Sequence, residues 1–552
     1  MKTARGLMSL PVRRLVCAAL FVFGLIYCAR SSRDASLSVR VLDAGTGQPT
    51  PVRVLLKDSD GNTPRVTGAL AVSESAIPIP DAAIAVMYGR YGRAEGYLLQ
   101  PDGSFYVDGS FDAQLPPGSY SLKLSKGYEF VPQTVKLDLN PGERLSREYK
   151  LERWIDMPQR GWYSGDDHIH LRRSPRDDPA ILRWAAAEDV HVAHLLQMGD
   201  FWATYYSQYA WGSRGRYREG DTILSSGQEG PRTPEIGHTI SLGAEEFVRF
   251  RDDYYDYGRV FDQVHELGGI TGFAHQAMTF HGYRGMTLNV LRGKLDFLEV
   301  MQFCPKEGPL ALKHYYHFLD LGYRLTALGG SDFPWCGRGP RFGLEEGCSQ
   351  IGDARFYTYT GDGLSFERWL QGVKAGHTFV TSGPMLEFTV NDRLPGATLD
   401  VESGTAIRIS AKAYGKASQI PLRQLEIVAH SETLKKVSAG EPGQSEELLS
   451  IEMELPVQRG IWVAARTDAA HTQVAHTTPV YVRVNGAGFH NPATAEHYLE
   501  LCRSYLNELE EDLAQPGKRS DHQAVRHKEN LKRQIIETRA ALKQLASGLG
   551  RE

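Results

Sequence analysis

Cysteine is scarce in this chain, with six among 552 residues. That number is too small for a disulfide-stapled scaffold. Four lie beyond the N-terminal segment: Cys304, Cys336, Cys348 and Cys502. Cys336 and Cys348 bracket one loop and read either as a pair formed in an oxidising compartment or as two separate thiols. An excess of charge of one sign is also missing, the formal net charge being −4. Nothing here argues for binding to nucleic acid or to an anionic lipid surface. Low-complexity tracts and short-period repeats are absent, and the 56 glycines and 28 prolines fit many turns rather than disorder. The apolar run Leu15 to Ala29 is too short to cross a bilayer comfortably. It follows Lys2, Arg5, Arg13 and Arg14, so residues 1–31 read as a secretory signal peptide, with an uncleaved membrane anchor as the alternative. This segment carries five basic and no acidic residues, so its removal takes the charge from −4 to about −9 (−4 minus 5). The expected location is extracytoplasmic.

What is present in quantity is histidine and carboxylate at strand ends. Gly161 to Leu171 reads GWYSGDDHIHL and holds His168 and His170 at i and i+2. On a strand that spacing points both imidazoles to one face, beside Asp166 and Asp167. Two converging imidazoles with carboxylates at hand suit a divalent metal. A polar strand end with surface histidines is the plainer alternative for this segment alone. Three further segments follow short apolar runs: Ser225 to Leu242 supplies Glu229 and His238, Ile270 to Gln276 supplies His275, and Leu325 to Trp335 supplies Asp332. Helix-like stretches at Pro179–Asp189, Ala244–Leu267, Leu310–Leu321 and Ser365–Ala375 alternate with these runs. Alternation of this kind predicts an α/β barrel or a doubly wound sheet, whose strand ends share one site.

Asp-x-His-x-His at Asp166–His170, the pair at Gln228–His238, Ala-His at Ala274–His275 and Gly-Ser-Asp at Gly330–Asp332 resemble the PHP (polymerase and histidinol phosphatase) metallohydrolases. The ending GHTFVTSGPMLEFTVN, Gly376 to Asn391, resembles the CehA/McbA-type branch. The resemblance spans about Trp154 to Pro384. It implies a distorted (β/α)7 barrel, a cluster of divalent metals and hydrolysis of a phosphoester, ester, amide or carbamate bond. Two positions depart from the family pattern. Asp332-Phe333-Pro334 stands where Asp-x-His is usual, and His194-Leu195-Leu196 stands where Thr-Asp-His is usual. His191 and His194 fall on opposite faces of a strand, so at most one faces the site easily.

The expected ligands are His168, His170, Glu229, His238, His275 and Asp332, for one or two ions of zinc, manganese or iron. Asp332, with His275, carries the expected catalytic role, Asp332 serving as ligand, general base or both. Arg232, Arg338 and Arg341 flank these segments and suit an anionic group of a small-molecule substrate, or are solvated loop arginines. Asp166 and Glu299 are expected behind the ligands, orienting them.

The flanking sequence is β-rich. Residues 35–153 read as a carboxypeptidase-regulatory-like or immunoglobulin-like sandwich acting as a spacer, and 385–486 as a second sandwich. His476 there reads as a loop or strand-edge residue, or one reaching the site mouth. Residues 491–548 carry apolar stripes (Tyr498, Cys502, Tyr505, Leu509, Leu513; Leu531, Ile535, Leu542, Leu545) interrupted at Pro516-Gly517, which predict a helical hairpin. The predicted class is therefore multidomain α/β plus all-β, with the PHP-like barrel at 154–384. Two functions follow: an exported metal-dependent hydrolase, or a non-catalytic surface or binding protein built on a degraded barrel.

Overall fold

The computed structural model describes residues 34–72, 102–199, 204–274, 281–302, 310–334, 349–514 and 527–549. Seven strands open the chain: β1 (Ala35–Asp43), β2 (Pro51–Asp58), β3 (Thr67–Ala69), β4 (Phe105–Leu115), β5 (Gly118–Ser125), β6 (Gln133–Leu139) and β7 (Arg144–Leu151). They form one sheet in the order β6-β5-β2-β4-β1-β7, with β3 paired to β4. Strict alternation along β4, with every second residue exposed from Asp108 to Gln114, buries Phe111 and Ala113 on one face. These residues join Val39, Val54, Leu122 and Leu151 in the core of this sheet.

The central strands read differently, because all but the short Thr204–Tyr205 and Tyr217–Glu219 are largely buried on both sides. They are β8 (Trp162–Ile169), β9 (Val192–Gly199), β10 (Thr204–Tyr205), β11 (Tyr217–Glu219), β12 (Thr222–Thr233), β13 (Gly237–Leu242), β14 (Ile270–Phe273), β15 (Phe297–Gln302) and β16 (Thr326–Gly330). Pairings β8–β9, β9–β12, β14–β15 and β15–β16 are parallel. Pairings β12–β13 and β13–β14 are antiparallel, which the expected strand–helix alternation did not include. The reason is local: the chain turns back at Pro234-Glu235-Ile236, too short a connection for a parallel crossover. Glu229 and His238 consequently sit within paired strands, not after them as expected. The sheet returns to β8 through a parallel bridge between Ile169 and Phe333 and through β17 (Arg355–Tyr359), antiparallel to β8.

Helices Asp178–Ala187, Tyr257–Glu266, Gly282–Val290, Leu312–Asp320 and Phe366–Ala375 intervene between central strands. The second of these is shorter than the stretch expected from Ala244 onward. Asp256 caps it, its side chain accepting from the Arg259 N–H.

Strand β18 (Thr378–Thr381) passes directly into the C-terminal β region, pairing with β17 and with Val474–Thr477. That region contains β19 (Met385–Val390), β20 (Thr398–Val401), β21 (Ala406–Tyr414), β22 (Leu422–Ala429), β23 (Glu432–Ser438), β24 (Leu448–Pro456), β25 (Ile461–Ala469), β26 (Val474–Thr477) and β27 (Val480–Val484). One layer is β19-β21-β24, and the other continues the central sheet. His476 is wholly buried in β26, between β18 and β25, so it is neither a loop nor an edge residue. Helices Ala495–Ala514 and Lys528–Leu549 follow, and Leu506, Leu509, Leu531 and Ile535 enter the central core. Pro516-Gly517 and the N-terminal apolar run lie outside the described residues. Among described residues, no helix is long and apolar enough to cross a membrane.

Candidate metal centre

His168 is the last residue but one of β8, with His170 just past its end, and both side chains are buried. Their Nε2 atoms lie 3.1 Å apart. Glu299, on β15, sits 3.0 Å from His168 Nδ1. The Leu196 carbonyl, on β9, sits 3.3 Å from His170 Nδ1. A carboxylate or a carbonyl accepts, so each Nδ1 carries the proton and donates. When the rings are neutral, as a metal ligand must be, both Nε2 lone pairs therefore face each other.

Asp332 follows β16 in the left-handed region, φ 50°, a conformation few side chains adopt without support from their surroundings. It brings Oδ1 to 3.2 Å from His168 Nε2 and 3.3 Å from His170 Nε2. Glu229 places Oε2 3.3 Å from His170 Nε2 and 4.0 Å from His168 Nε2. Its Oε1 is 2.7 Å from His238 Nδ1 and 3.8 Å from Arg232 Nε. The tightest set is His168, His170 and Asp332, whose ligand atoms all lie within 4.8 Å of one another. Glu229 stands beside that set, and His238 Nδ1 lies against Glu229 Oε1.

These distances suit a cation. Ligand atoms at about 2.0 Å from a tetrahedral metal are roughly 3.3 Å from each other. Separations of 3.1, 3.2 and 3.3 Å match that edge. Two opposed imidazole lone pairs and two carboxylates also repel one another unless a positive charge lies between them. Burial works to lower the His170 pKa, yet the bonds to Asp332 and Glu229 outweigh it and lift the group to about 9. Glu229 is held well below the usual carboxylate range, burial being outweighed by Arg232 and the histidines. The donor set is nitrogen and oxygen only, which fits zinc, manganese or iron.

Of the remaining sequence candidates, Asp166 uses its carboxylate to accept backbone N–H bonds, including that of His168 at 3.0 Å. His191 bonds to Ser164 Oγ at 2.8 Å, and His194 packs on Trp369 at 5.1 Å between ring centres. Neither joins the ligand set. His476 bonds to Tyr316 and is not at the site. His275, Arg338, Arg341, Cys304, Cys336 and Cys348 lie outside the described residues. The sequence reading missed Tyr206, stacked on the His170 ring at 5.2 Å, and the Leu196 carbonyl. A backbone carbonyl leaves no trace in residue type. Gly330 belongs to the Gly-Ser-Asp motif without a role assigned from sequence; a Cβ there would lie 2.5 Å from His168 Cβ, so only glycine lets β16 approach β8 this closely.

No family model and no curated protein matches this chain. Fibronectin(III)-like modules of Clostridium thermocellum CbhA align with 18% of this chain and 94% of their own, at 16% identity and a TM-score of 0.13. An engineered protein aligns with 18% of this chain and 20% of its own, at 9% identity and a TM-score of 0.13. Scores this low carry no argument about the fold or the site.

Proposed function

We propose that the chain is a divalent-metal-dependent hydrolase with a PHP-type barrel at its centre. The observation that carries this reading is the meeting of His168 Nε2, His170 Nε2 and Asp332 Oδ1 within 3.1–3.3 Å, with both histidine tautomers set from behind. His168, His170 and Asp332 would hold the ion, with Glu229 beside them. When bound, a divalent cation supplies a Lewis acid and lowers the pKa of water toward neutrality.

The chain's own residues provide the rest. Glu299 and the Leu196 carbonyl keep the imidazoles aimed, each occupying Nδ1 so that Nε2 is the atom left to face the ion. His238 and Arg232 hold Glu229 ionised. Asp332 has a second carboxylate oxygen that suits acceptance of a proton from the attacking water. Burial of the whole set strengthens each of these interactions. Arg232 is about one-fifth exposed and beside Glu229, a position that suits an anionic substrate group. Phosphoester and carboxyl-type bonds both fit this chemistry. The N-terminal segment, taken as a signal or an anchor, suits work outside the cytoplasm.

Metal analysis of the purified protein, then a panel of chromogenic phosphoesters and carboxylesters, tests the reading. Hydrolysis is expected to vanish with chelator, return with zinc or manganese, and disappear in His168→Ala. Stoichiometric metal without turnover across the panel would favour a binding protein on the same scaffold. Absence of metal would end the hydrolase reading and leave the non-catalytic protein on a degraded barrel.

A further inference from the structure

We propose that the N-terminal sheet is an outer support of the metal centre rather than a spacer, acting through loop 349–353 and Asp166 as positioning residue. This rests on the reading of His168, His170 and Asp332 as ligands.

Asp166 is wholly buried on β8. Its Oδ1 accepts from the N–H of His168 and the N–H of Ser331, each at 3.0 Å. Its Oδ2 accepts from the N–H of Gly352 at 2.7 Å. One carboxylate thus ties a ligand, the neighbour of another ligand and a loop remote in sequence. Three N–H groups converging on one side chain call for a group that only accepts, which an ionised carboxylate is and an amide is not.

Loop 349–353 is shaped to reach Asp166. Gly352 has φ 77°, and a Cβ there would lie 2.5 Å from the Arg355 guanidinium and 2.6 Å from Val190 Cγ2. Arg355 Nε donates to the Gly352 carbonyl at 2.6 Å. The N-terminal sheet grips the same loop from outside. Tyr128, between β5 and β6, donates its hydroxyl to the Asp353 carbonyl at 2.7 Å. Its ring lies 4.7 Å from the Arg355 guanidinium. Tyr128 therefore touches both residues that flank and fix the Gly352 peptide. The path runs Tyr128, loop 349–353, Asp166, then the backbones of His168 and Ser331. Every link is a hydrogen bond or a packed ring.

Cobalt(II) is the probe, since its visible bands report ligand geometry independently of turnover. Full-length wild type, Asp166→Asn, Gly352→Ala and Tyr128→Phe are titrated with Co(II), with His168→Ala as control. The wild type is expected to give a Co(II) spectrum that His168→Ala lacks. Asp166→Asn and Gly352→Ala are expected to lose on the order of tenfold or more in affinity and to shift the bands. Tyr128→Phe, a conservative change that keeps the ring, is expected to weaken Co(II) roughly threefold. Wild-type affinity and bands in Asp166→Asn and Gly352→Ala overturn the proposal. If those two do not fold, Tyr128→Phe decides, and unchanged affinity there overturns it. A wild type that binds no Co(II) at His168 defeats the ligand reading and this proposal with it.

Discussion

Glu299 on β15 and His168 on β8, 131 residues apart in sequence, share a hydrogen bond of 3.0 Å with both side chains fully buried. The bond sets which ring nitrogen of His168 carries the proton, and its charge raises the basicity of the other. Loss of such a partner typically costs 10–100-fold in metal affinity. Glu299→Gln keeps an acceptor and is expected at about the tenfold end, and Glu299→Ala at about a hundredfold. Competition titration with a chromophoric chelator measures both, and equal affinity in all three proteins would count against the role.

Gly330 sets how closely β16 lies against β8. A methyl group there meets His168 Cβ at 2.5 Å and the His168 backbone nitrogen at 2.8 Å. Gly330→Ala should lose about 1–3 kcal/mol of stability from overpacking. It should lose metal as well, since the strand bearing His168 is the one displaced. Urea unfolding and metal content of the purified variant check the two effects separately. A variant that keeps full metal content would show that the approach is not required.

Stability should fall with acid through His476. Burial pushes its pKa down to about 3, against an ordinary value of 6.5. Nδ1 lies 2.7 Å from the Thr477 carbonyl and must donate, so Nε2 accepts from Tyr316 at 2.7 Å and the ring is neutral. Below pH 6.5 the unfolded chain takes up a proton that the folded protein refuses. The contribution is therefore complete above 6.5 and lost as pH falls toward 3, at about 1.4 kcal/mol per pH unit. His476→Gln should flatten the stability profile between pH 6 and pH 4 by one proton's worth. Parallel profiles for variant and wild type would refute the assignment.

Arg153 joins the N-terminal sheet to the central one. It forms a fork on Asp189 at 2.9 and 3.0 Å and reaches Glu129 at 2.6 Å. Burial and the nearby Asp189 charge push Glu129 up to about 7 even with Arg153 present. Arg153→Met leaves two buried carboxylates facing each other and should cost about 3–5 kcal/mol. Denaturant unfolding at pH 8, where Glu129 of the wild type is ionised beside Arg153, measures the loss. A change under about 1 kcal/mol would mean the cluster is better solvated than its burial indicates.

Residue types and their spacing alone singled out His168, His170, Glu229, His238, Glu299 and Asp332, because an i, i+2 histidine pair on a strand can face only one way. Strand-like runs also marked β1, β2, β5, β6 and β7, and β19, β21, β22, β24, β25 and β27, while helical spacing marked Ala495–Ala514 and Lys528–Leu549. What the sequence left open is how these groups divide the work. Glu229 and His238 were read as equal ligands, yet the β12–β13 hairpin turns His238 onto Glu229 Oε1 and leaves His168, His170 and Asp332 as the closest set. His476 was read as a loop or strand-edge residue, or one reaching the site mouth, yet pairing of β26 with both β18 and β25 buries it. Asp166 and Gly352, 186 residues apart, meet only in the folded chain. Pattern along a strand fixes which face a side chain takes, whereas partners across strands depend on register and on backbone N–H and carbonyl groups that every residue carries alike.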